Sequence, residues 1–163
     1  MGEIIIVGLG PGDFGLITQQ TLALLAEKPP LVLRTVKHPA VSGLGERGIL
    51  FTSYDYLYEQ HASFDDVYAA IAADCLDRAA AAGRVVYAVP GNPMVAEKSV
   101  ALIRQQAAAR GITVRVLPAM SFLDLLYVRL GLDPVAGVAV VDAGDIDKLP
   151  PDFGLGLVVT QVY

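Results

Sequence analysis

The sequence predicts an α/β protein in which a mostly parallel sheet is flanked by helices, with the start of a second α/β domain. Three observations lead to this fold class. Short apolar runs of strand type alternate with longer stretches of helix type, the order that builds parallel sheets with right-handed crossovers. Tight turns rich in glycine or proline follow three of the apolar runs. The 163-residue chain is 54% hydrophobic and 18% charged, which is enough for a substantial core.

The first third of the chain alternates strand-like and helix-like patterns. Thr18 is the candidate N-cap of the first helix, and Pro29 and Pro30 prevent that helix from continuing. Residues 52–62 are rich in aromatic side chains and fit more than one structure. The predicted elements are a strand at 3–8, a helix at 16–27, a strand at 31–35, a loop at 36–48 and a short strand at 49–51.

The remainder begins with a long alanine-rich helix. Ser63 and Asp66 resemble a capping box at its start, and Gly83 is well placed just past its end at Ala82. The later predicted elements are strands at 84–89, 112–117, 137–143 and 154–163 and helices at 95–110 and 121–130, with tight turns at 90–93 and 118–122.

A domain change is expected at residue 118. Residues 1–117 then form an N-terminal α/β domain, and residues 118–163 begin a second one. The second segment holds only two strands and one helix, which is too little for an independent core. We therefore expect the natural protein to continue past Tyr163.

Charge and hydropathy exclude several classes of protein. The net charge is −5, the pI is about 4.8, and the twelve basic residues are scattered, so nucleic-acid binding is not expected. The N-terminus lacks the pattern of a signal peptide, and no apolar run reaches about 18 residues. A cytoplasmic protein without a membrane span is the expectation.

The sequence offers no pattern for a metal site. Cys75 is the only cysteine, and we interpret it as a small core residue. No pair of histidines or carboxylates shows ligand spacing along a helix. Asp65 and Asp66 suit a helix cap, and Asp145 and Asp147 suit a solvated loop. We predict that the protein binds no metal.

The turn Gly8-Leu9-Gly10-Pro11-Gly12-Asp13 follows the first strand and indicates a ligand close to the backbone. It does not fit the Rossmann fingerprint, because Asp13 stands where the third glycine belongs and no acidic residue ends the second strand. Pro11 lacks an N–H, so the turn is not a complete amide cradle for phosphate. It suits a flat uncharged or cationic ligand, although a plain strand-to-helix link is the alternative.

Three motifs in order resemble those of the tetrapyrrole methylase superfamily of S-adenosylmethionine-dependent enzymes. They are VGLGPGD at 7–13, VPGNPMVAEKS at 89–99 and PAMSF at 118–122. The resemblance covers the whole chain. This sequence departs from the family pattern at Asn92, usually Asp, at Ala119, usually Gly, and at Phe122, usually a small residue.

A narrower resemblance concerns the methylase-like N-terminal part of proteins that carry a C-terminal MazG nucleotide pyrophosphohydrolase domain. It is carried by LRTVKHPAV, SFDDVYAAI and YAVPGNPMVAEKSV. The resemblance implies a covalent fusion to a MazG domain, whose acidic metal site this chain lacks. Family members are commonly dimers, so a homodimer is expected.

The family resemblance also implies a tetrapyrrole methylase fold of two α/β domains, with S-adenosylmethionine in the cleft between them. Carried over by position, the cofactor-binding residues would be Pro11, Gly91, Asn92, Val95, Ser121 and Phe122.

Candidate substrate contacts follow from the predicted edge of the sheet. Arg34 ends a strand, where a cation could meet an acceptor carboxylate or phosphate; an ion pair with Asp55 or Glu59 is the alternative. His38 lies in the following loop. It either contacts the substrate or stabilises the loop, and the sequence leaves both roles open. Asp55 belongs to an aromatic-acidic stretch that either lines a pocket for a flat acceptor or packs over the core edge. No catalytic residue is assigned.

Two functions remain open from the sequence. The first is an S-adenosylmethionine-dependent methyltransferase domain acting on a small-molecule acceptor, tetrapyrrole-like or otherwise planar. Sulfonium methyl transfer needs mainly placement and a dry site, so the lack of a catalytic triad is no objection. The second is a non-catalytic module that senses S-adenosylmethionine or acts as a scaffold for an attached MazG-type pyrophosphohydrolase. The departures at Asn92, Ala119 and Phe122 motivate this alternative.

Overall fold

The computed structural model describes residues 2–150 and 154–162. The chain divides into two compact units, residues 1–122 and 123–163. The first unit contains strands β1 (Glu3–Gly8), β2 (Leu31–Leu33), β3 (Thr52–Ser53), β4 (Arg84–Val89) and β5 (Thr113–Val116), and helices α1 (Gln19–Ala26), α2 (Val41–Glu46), α3 (Asp55–Gln60), α4 (Phe64–Ala82) and α5 (Lys98–Ala107).

The first unit is built on a five-stranded parallel sheet in the order β3-β2-β4-β1-β5. The central strand β1 pairs with β4 and β5, so that Ile5 lies opposite both Val86 and Arg115. Both faces of β1 and β4 are buried, as expected of a parallel sheet covered by helices. The α/β fold class with a mostly parallel sheet is thereby confirmed.

Alternating side chains divide the core between the two faces of this sheet. Ile4 and Ile6 pack with residues of α3, α4 and α5, whereas Ile5 and Val7 pack with residues of α1 and α2. The division follows from the two-residue period of a strand. Cys75 lies fully buried on the α4 side, which confirms its interpretation as a core residue.

Helix caps were predicted better than most other boundaries. Ser63 accepts a hydrogen bond from the Asp66 backbone N–H at 3.1 Å, and Gly83 ends α4 in a left-handed conformation. Thr18 caps α1 by accepting from the Thr21 N–H at 3.3 Å. However, α1 starts only at Gln19, because the preceding residues form a separate 3-10 turn over Phe14–Leu16.

The predicted loop at 36–48 is wrong in part, because it contains α2. Gly43 lies against Phe14 so closely that a Cβ would come within 2.4 Å of the ring. Leu44 is fully buried in the core. Packing against Phe14 therefore stabilises a helix in a segment whose glycines disfavour one.

Two further boundaries differ from prediction. The short strand expected at 49–51 lies instead at Thr52–Ser53, since Ile49 turns into the core and Leu50 is 84% exposed. The helix expected from residue 95 starts at Lys98, because Ala96 has a left-handed φ of 54° that a helix cannot include. Residues 52–62, left ambiguous, contain α3.

The second unit contains helix α6 (Phe122–Leu130) and strands β6 (Val138–Asp142) and β7 (Gly156–Thr160). The first residue of α6, Phe122, is the last residue of the first unit. The two strands pair in parallel, with Val140 opposite Val158. Both strands predicted here are confirmed with shorter bounds, and Tyr163, in the predicted last strand, lies outside the described residues. None of the described helices is long and apolar enough to cross a bilayer.

Candidate functional site

The three turns singled out in the sequence follow three neighbouring strands. Residues 8–13 follow β1, residues 90–93 follow β4, and residues 118–122 come after β5. Because these strands are parallel and adjacent, their carboxyl ends share one edge of the sheet. Ligands of open α/β sheets bind outside this edge.

A pair of backbone hydrogen bonds joins the first two turns. The Gly91 N–H donates to the Gly10 carbonyl at 2.8 Å, and the Gly10 N–H donates to the Gly91 carbonyl at 3.3 Å. Both glycines have positive φ, 73° for Gly10 and 63° for Gly91, where an L side chain is strained. The glycines therefore allow the two turns to close on each other as a small antiparallel bridge.

Gly8 is the point where all three turns approach. A Cβ at this position would lie 2.1 Å from the Gly91 carbonyl oxygen and 2.5 Å from the Ala119 Cβ. It would also lie 2.9 Å from Cδ of Pro93. No side chain larger than hydrogen fits, so this glycine is required by packing.

Asn92 links the second turn to the third. Its Nδ2 donates to the Ala119 carbonyl at 2.6 Å, and its Oδ1 accepts from the Met94 N–H at 2.8 Å. Because the acceptor is a main-chain oxygen, this contact depends on the departure at Asn92 and not on the one at Ala119. An aspartate at this position could not donate this hydrogen bond when ionised.

One surface of the joined turns remains open. Apart from Gly91 and its chain neighbours, no atom of the described residues lies within 4 Å of the place where a Cβ of Gly91 would stand. Pro11 and Val95 are half-buried, and Phe122 is 40% exposed at the start of α6, whereas Ser121 is buried. A ligand can approach the backbone of Gly91 from this side, where the Gly91 N–H and C=O groups are already bonded to Gly10. The six residues predicted to bind the cofactor thus all lie in the segments that follow β1, β4 and β5.

Arg34 forms an ion pair, but with neither of the predicted partners. Its Nε lies 3.4 Å from Oε1 of Glu97, and the side chains are 22% and 5% exposed, respectively. The alternative of an ion pair with Asp55 or Glu59 is therefore wrong, whereas the contact with substrate stays a prediction. Glu97 lies in the segment after β4, the strand next to β2, and the sequence does not reveal that adjacency.

Glu97 was missed by the sequence analysis and carries the most perturbed carboxyl group of this edge. Burial raises its pKa to about 7, and the Arg34 charge offsets only part of that effect. The Ser99 hydroxyl lies 3.4 Å from Glu97 and 2.9 Å from the hydroxyl of Tyr87. A buried polar network thus runs from Tyr87 in β4 to Arg34 at the end of β2.

His38 contacts the first turn. Its Nδ1 accepts from the Ala40 N–H at 3.3 Å, and a hydrogen bond to the Gly10 backbone raises its pKa. Burial and the Arg34 charge oppose this effect, and the pKa of His38 is lowered overall. The contacts of this imidazole with the Ala40 N–H and the Gly10 backbone hold the loop of residues 36–40 against the first turn.

Asp55 organises the same loop from the other side. Its carboxylate accepts from the Thr35 hydroxyl at 2.6 Å and from the Val36 N–H at 2.8 Å. Burial alone would raise the pKa of Asp55, but these hydrogen bonds outweigh it and lower the pKa. Nearby, Tyr54 is fully buried, so the first tyrosine of this stretch belongs to the core.

Two further observations concern the first turn and metals. Asp13 accepts from the Gly15 N–H at 2.9 Å and so caps the 3-10 turn over Phe14–Leu16. Among residues 2–150 and 154–162, no three His, Cys, Asp or Glu side chains converge.

This geometry defines the class of protein: a parallel α/β domain with a ligand edge built from three joined turns. The family model of the Tetrapyrrole (Corrin/Porphyrin) Methylases matches residues 3–157. The chain therefore belongs to the tetrapyrrole methylases, and the family resemblance is confirmed.

Individual relatives agree with this assignment. The protein YabN of Bacillus subtilis (strain 168), described as uncharacterized, is 38% identical over 162 residues, which cover 99% of this chain and 33% of YabN. A crystal structure of the native uroporphyrin III C-methyl transferase from Thermus thermophilus has 25% identity and a TM-score of 0.59, covering 86% of this chain and 59% of that one.

Two other solved structures show the same fold. A uroporphyrin-III C-methyl transferase from Thermus thermophilus complexed with S-adenyl homocysteine has 24% identity and a TM-score of 0.59 over 86% of this chain and 55% of that one. A diphthine synthase has 21% identity and a TM-score of 0.65 over 86% of this chain and 53% of that one. The chain thus spans one third of its curated relative and little more than half of these structures.

Proposed function

We propose that this chain is part of an S-adenosylmethionine-dependent methyltransferase domain that acts on a planar small-molecule acceptor, tetrapyrrole-like or otherwise. The observation that carries the proposal is the open surface at Gly91, formed by three turns whose motifs are those of the family. The Thermus thermophilus protein complexed with S-adenyl homocysteine has the same fold, which supports this choice of cofactor.

In this proposal the turns hold and orient the cofactor. When bound, S-adenosylmethionine supplies an electrophilic methyl group and leaves as a neutral thioether. Pro11 packs against it, and the bare backbone of Gly91 allows close approach. Val95, Ser121 and Phe122 exclude water from the same surface. This placement accounts for most of what the reaction needs from a protein.

The loop after β2 supplies the acceptor contacts in this proposal. Arg34 is partly exposed and has guanidinium donors beyond the one facing Glu97, so it can bind an acceptor carboxylate. Asp55 and His38 hold this loop in place through the contacts described above. Glu97 keeps the Arg34 side chain at the edge of the sheet.

The direct test is calorimetric titration of S-adenosylhomocysteine into this chain and into the full-length protein of its source. We expect binding to the full-length protein that is lost in Pro11→Arg, because the larger charged side chain occupies the cofactor surface. Pro30→Arg, which makes the same change at the opposite edge of the sheet, is expected to bind like wild type. Absence of binding by a well-folded full-length protein would contradict the proposal.

A second function is favoured by one contact. Asn92, a departure from the family pattern, donates to the main-chain carbonyl of Ala119 at 2.6 Å. This contact suits a domain that keeps the fold and serves as a sensor or scaffold for an attached MazG-type pyrophosphohydrolase. In that case, deleting the domain or adding S-adenosylmethionine changes the hydrolase rate of the full-length protein. An unchanged rate in both experiments rules out the alternative.

The MazG fusion and a homodimer are proposals shared by both functions.

A further inference from the structure

A cavity lies at the opposite edge of the sheet from the three turns. Its volume is about 570 Å³. It opens at the amino ends of β2, β3 and β4, and β4 extends over six residues between this edge and the turn of Gly91. At about 3.3 Å per residue, the two sites are separated by roughly 20 Å. The cavity is lined by Lys28, Pro29, Pro30, Leu31, Val32, Leu50, Phe51, Thr52, Arg78, Ala81, Ala82, Arg84 and Val85.

The walls of this cavity are apolar. Pro29 and Pro30 have no backbone N–H to present, and Ala81 and Ala82 add only methyl groups. Leu50 is 84% exposed beside the partly buried Phe51. An apolar cavity of this size with a few polar groups is typical of small-molecule sites.

The polar groups of the cavity are mainly cations. Lys28, Arg78 and Arg84 line it, and none of the lining residues is acidic. This is unusual in a chain with a net charge of −5. The structure records no ion pair for Lys28 within the described residues.

Arg84 is incompletely satisfied by its acidic neighbours. Its Nε lies 3.5 Å from Glu3 and its Nη1 lies 3.7 Å from Glu27. Both distances exceed those of ordinary hydrogen bonds, and the buried Nε has no hydrogen-bond partner within the described part of the chain. Arg78, in contrast, bonds to Asp74. The buried Nε is out of reach of a ligand, but the Arg84 side chain as a whole is 38% exposed, so a ligand oxygen would bind at the outer guanidinium nitrogens.

We propose that this cavity binds an amphipathic anion, with a flat or branched apolar body and one carboxylate, sulfonate or phosphate group. The apolar body packs against Leu50, Phe51 and the prolines. The anionic group binds Lys28 and the outer guanidinium nitrogens of Arg84. This site is independent of the cofactor surface at the carboxyl edge, so the titration with S-adenosylhomocysteine and the test below can fail separately.

The test uses 8-anilinonaphthalene-1-sulfonate and its uncharged counterpart N-phenyl-1-naphthylamine as probes. Binding is followed by amide chemical shifts in NMR, which locate each probe on the chain. We expect shifts grouped at the lining residues. The sulfonate should bind about five-fold more tightly than the neutral amine, an advantage that added salt reduces.

Two exposed positions allow variants that leave the core intact. Lys28→Glu is expected to weaken sulfonate binding by about five-fold or more, because it replaces an attraction by a repulsion. Leu50→Glu should weaken both probes, since both lose apolar contact. Lys148→Glu, an equal charge change in the second unit, is the control and should have no effect.

Three outcomes would overturn the proposal. The first is equal affinity for the two probes with no effect of Lys28→Glu. The second is a set of shifts outside the cavity, at the turns or in the second unit. The third is self-association of the chain through Leu50 with no probe binding, which would make this face an interface between copies.

Discussion

The packing of the three turns at the candidate site requires a glycine at position 8. Gly8→Ala places a methyl group against the Gly91 carbonyl and the Ala119 side chain. Because backbone must move to admit it, we expect the free energy of unfolding to fall by roughly 2–4 kcal/mol. Urea denaturation measures this change.

A matched control exists for this substitution. A Cβ at Gly45 in α2 would meet no atom within 4 Å. Gly45→Ala should therefore leave stability unchanged or raise it by about 0.5–1 kcal/mol, since alanine favours helix. If Gly8→Ala and Gly45→Ala were equally stable, the three turns would be able to move apart at Gly8 without loss of stability.

The buried carboxyl group of Glu97 should make the stability of the folded chain fall as the pH rises. Burial raises the folded-state pKa to about 7 from 4.5, so the folded chain holds this proton where the unfolded chain has lost it. This contribution to the free energy of unfolding is fully present below the pKa of Glu97 in the unfolded chain. It is lost as the pH rises through the pKa of Glu97 in the folded chain. We expect the loss to be roughly 1–3 kcal/mol.

The measurement compares wild type with Glu97→Gln by urea denaturation at about pH 5 to about pH 8. Gln mimics the neutral acid, so the wild type should lose stability relative to the variant as pH rises. Glu59→Gln, at an exposed position in α3, is the control and should follow the wild type. A constant difference between wild type and Glu97→Gln would rule out this role of Glu97.

Between elements, the side chain of Asn92 joins the turn after β4 to the segment after β5. Asn92→Asp removes the donor to the Ala119 carbonyl and places a charge against that oxygen. We expect a loss of roughly 1–3 kcal/mol at neutral pH, measured by thermal unfolding. Because a protonated carboxyl can donate, the deficit should shrink in acid.

Asn92→Ala separates the two contributions to this loss. It removes both side-chain hydrogen bonds of Asn92, to the Ala119 carbonyl and from the Met94 N–H, without adding a charge, so its deficit should not shrink in acid. An Asp variant as stable as wild type at neutral pH would show that the linkage of the turns does not depend on this bond.

The helices α2 and α4 show which elements local chemistry specifies. For α4, Ser63 and Gly83 supply caps at both ends, and the predicted bounds agree with the structure. For α2, local propensity disfavours a helix, and contact between Gly43 and Phe14 outweighs it. Such a contact between distant residues cannot be inferred from a window of sequence.

The two units of the chain differ in how deeply their side chains are buried. The first unit has a core on both faces of its sheet, whereas none of the described residues from 123 onward is buried. We expect amides of β6 and β7 to exchange at least about 100-fold faster than those of β1 and β4. Hydrogen exchange with mass spectrometry at neutral pH tests this.

The internal reference for that experiment is β4, whose five residues from Val85 to Val89 are buried. If the amides of β6 and β7 were as well protected from hydrogen exchange as those of β4, the second unit would be stabilised by contacts other than the burial of its side chains.

Local chemistry was enough to predict the α/β class, the capped helix α4 and the three ligand-edge turns, because periodicity, caps and glycines act over a few residues. Strand order is different, since it arises from packing across the whole sheet. The placement of β4 beside both β1 and β2 brings Gly91 onto Gly10 and Glu97 onto Arg34. Those pairings, and the cationic cavity at the other edge, join residues far apart in the chain, so they follow from three-dimensional packing alone.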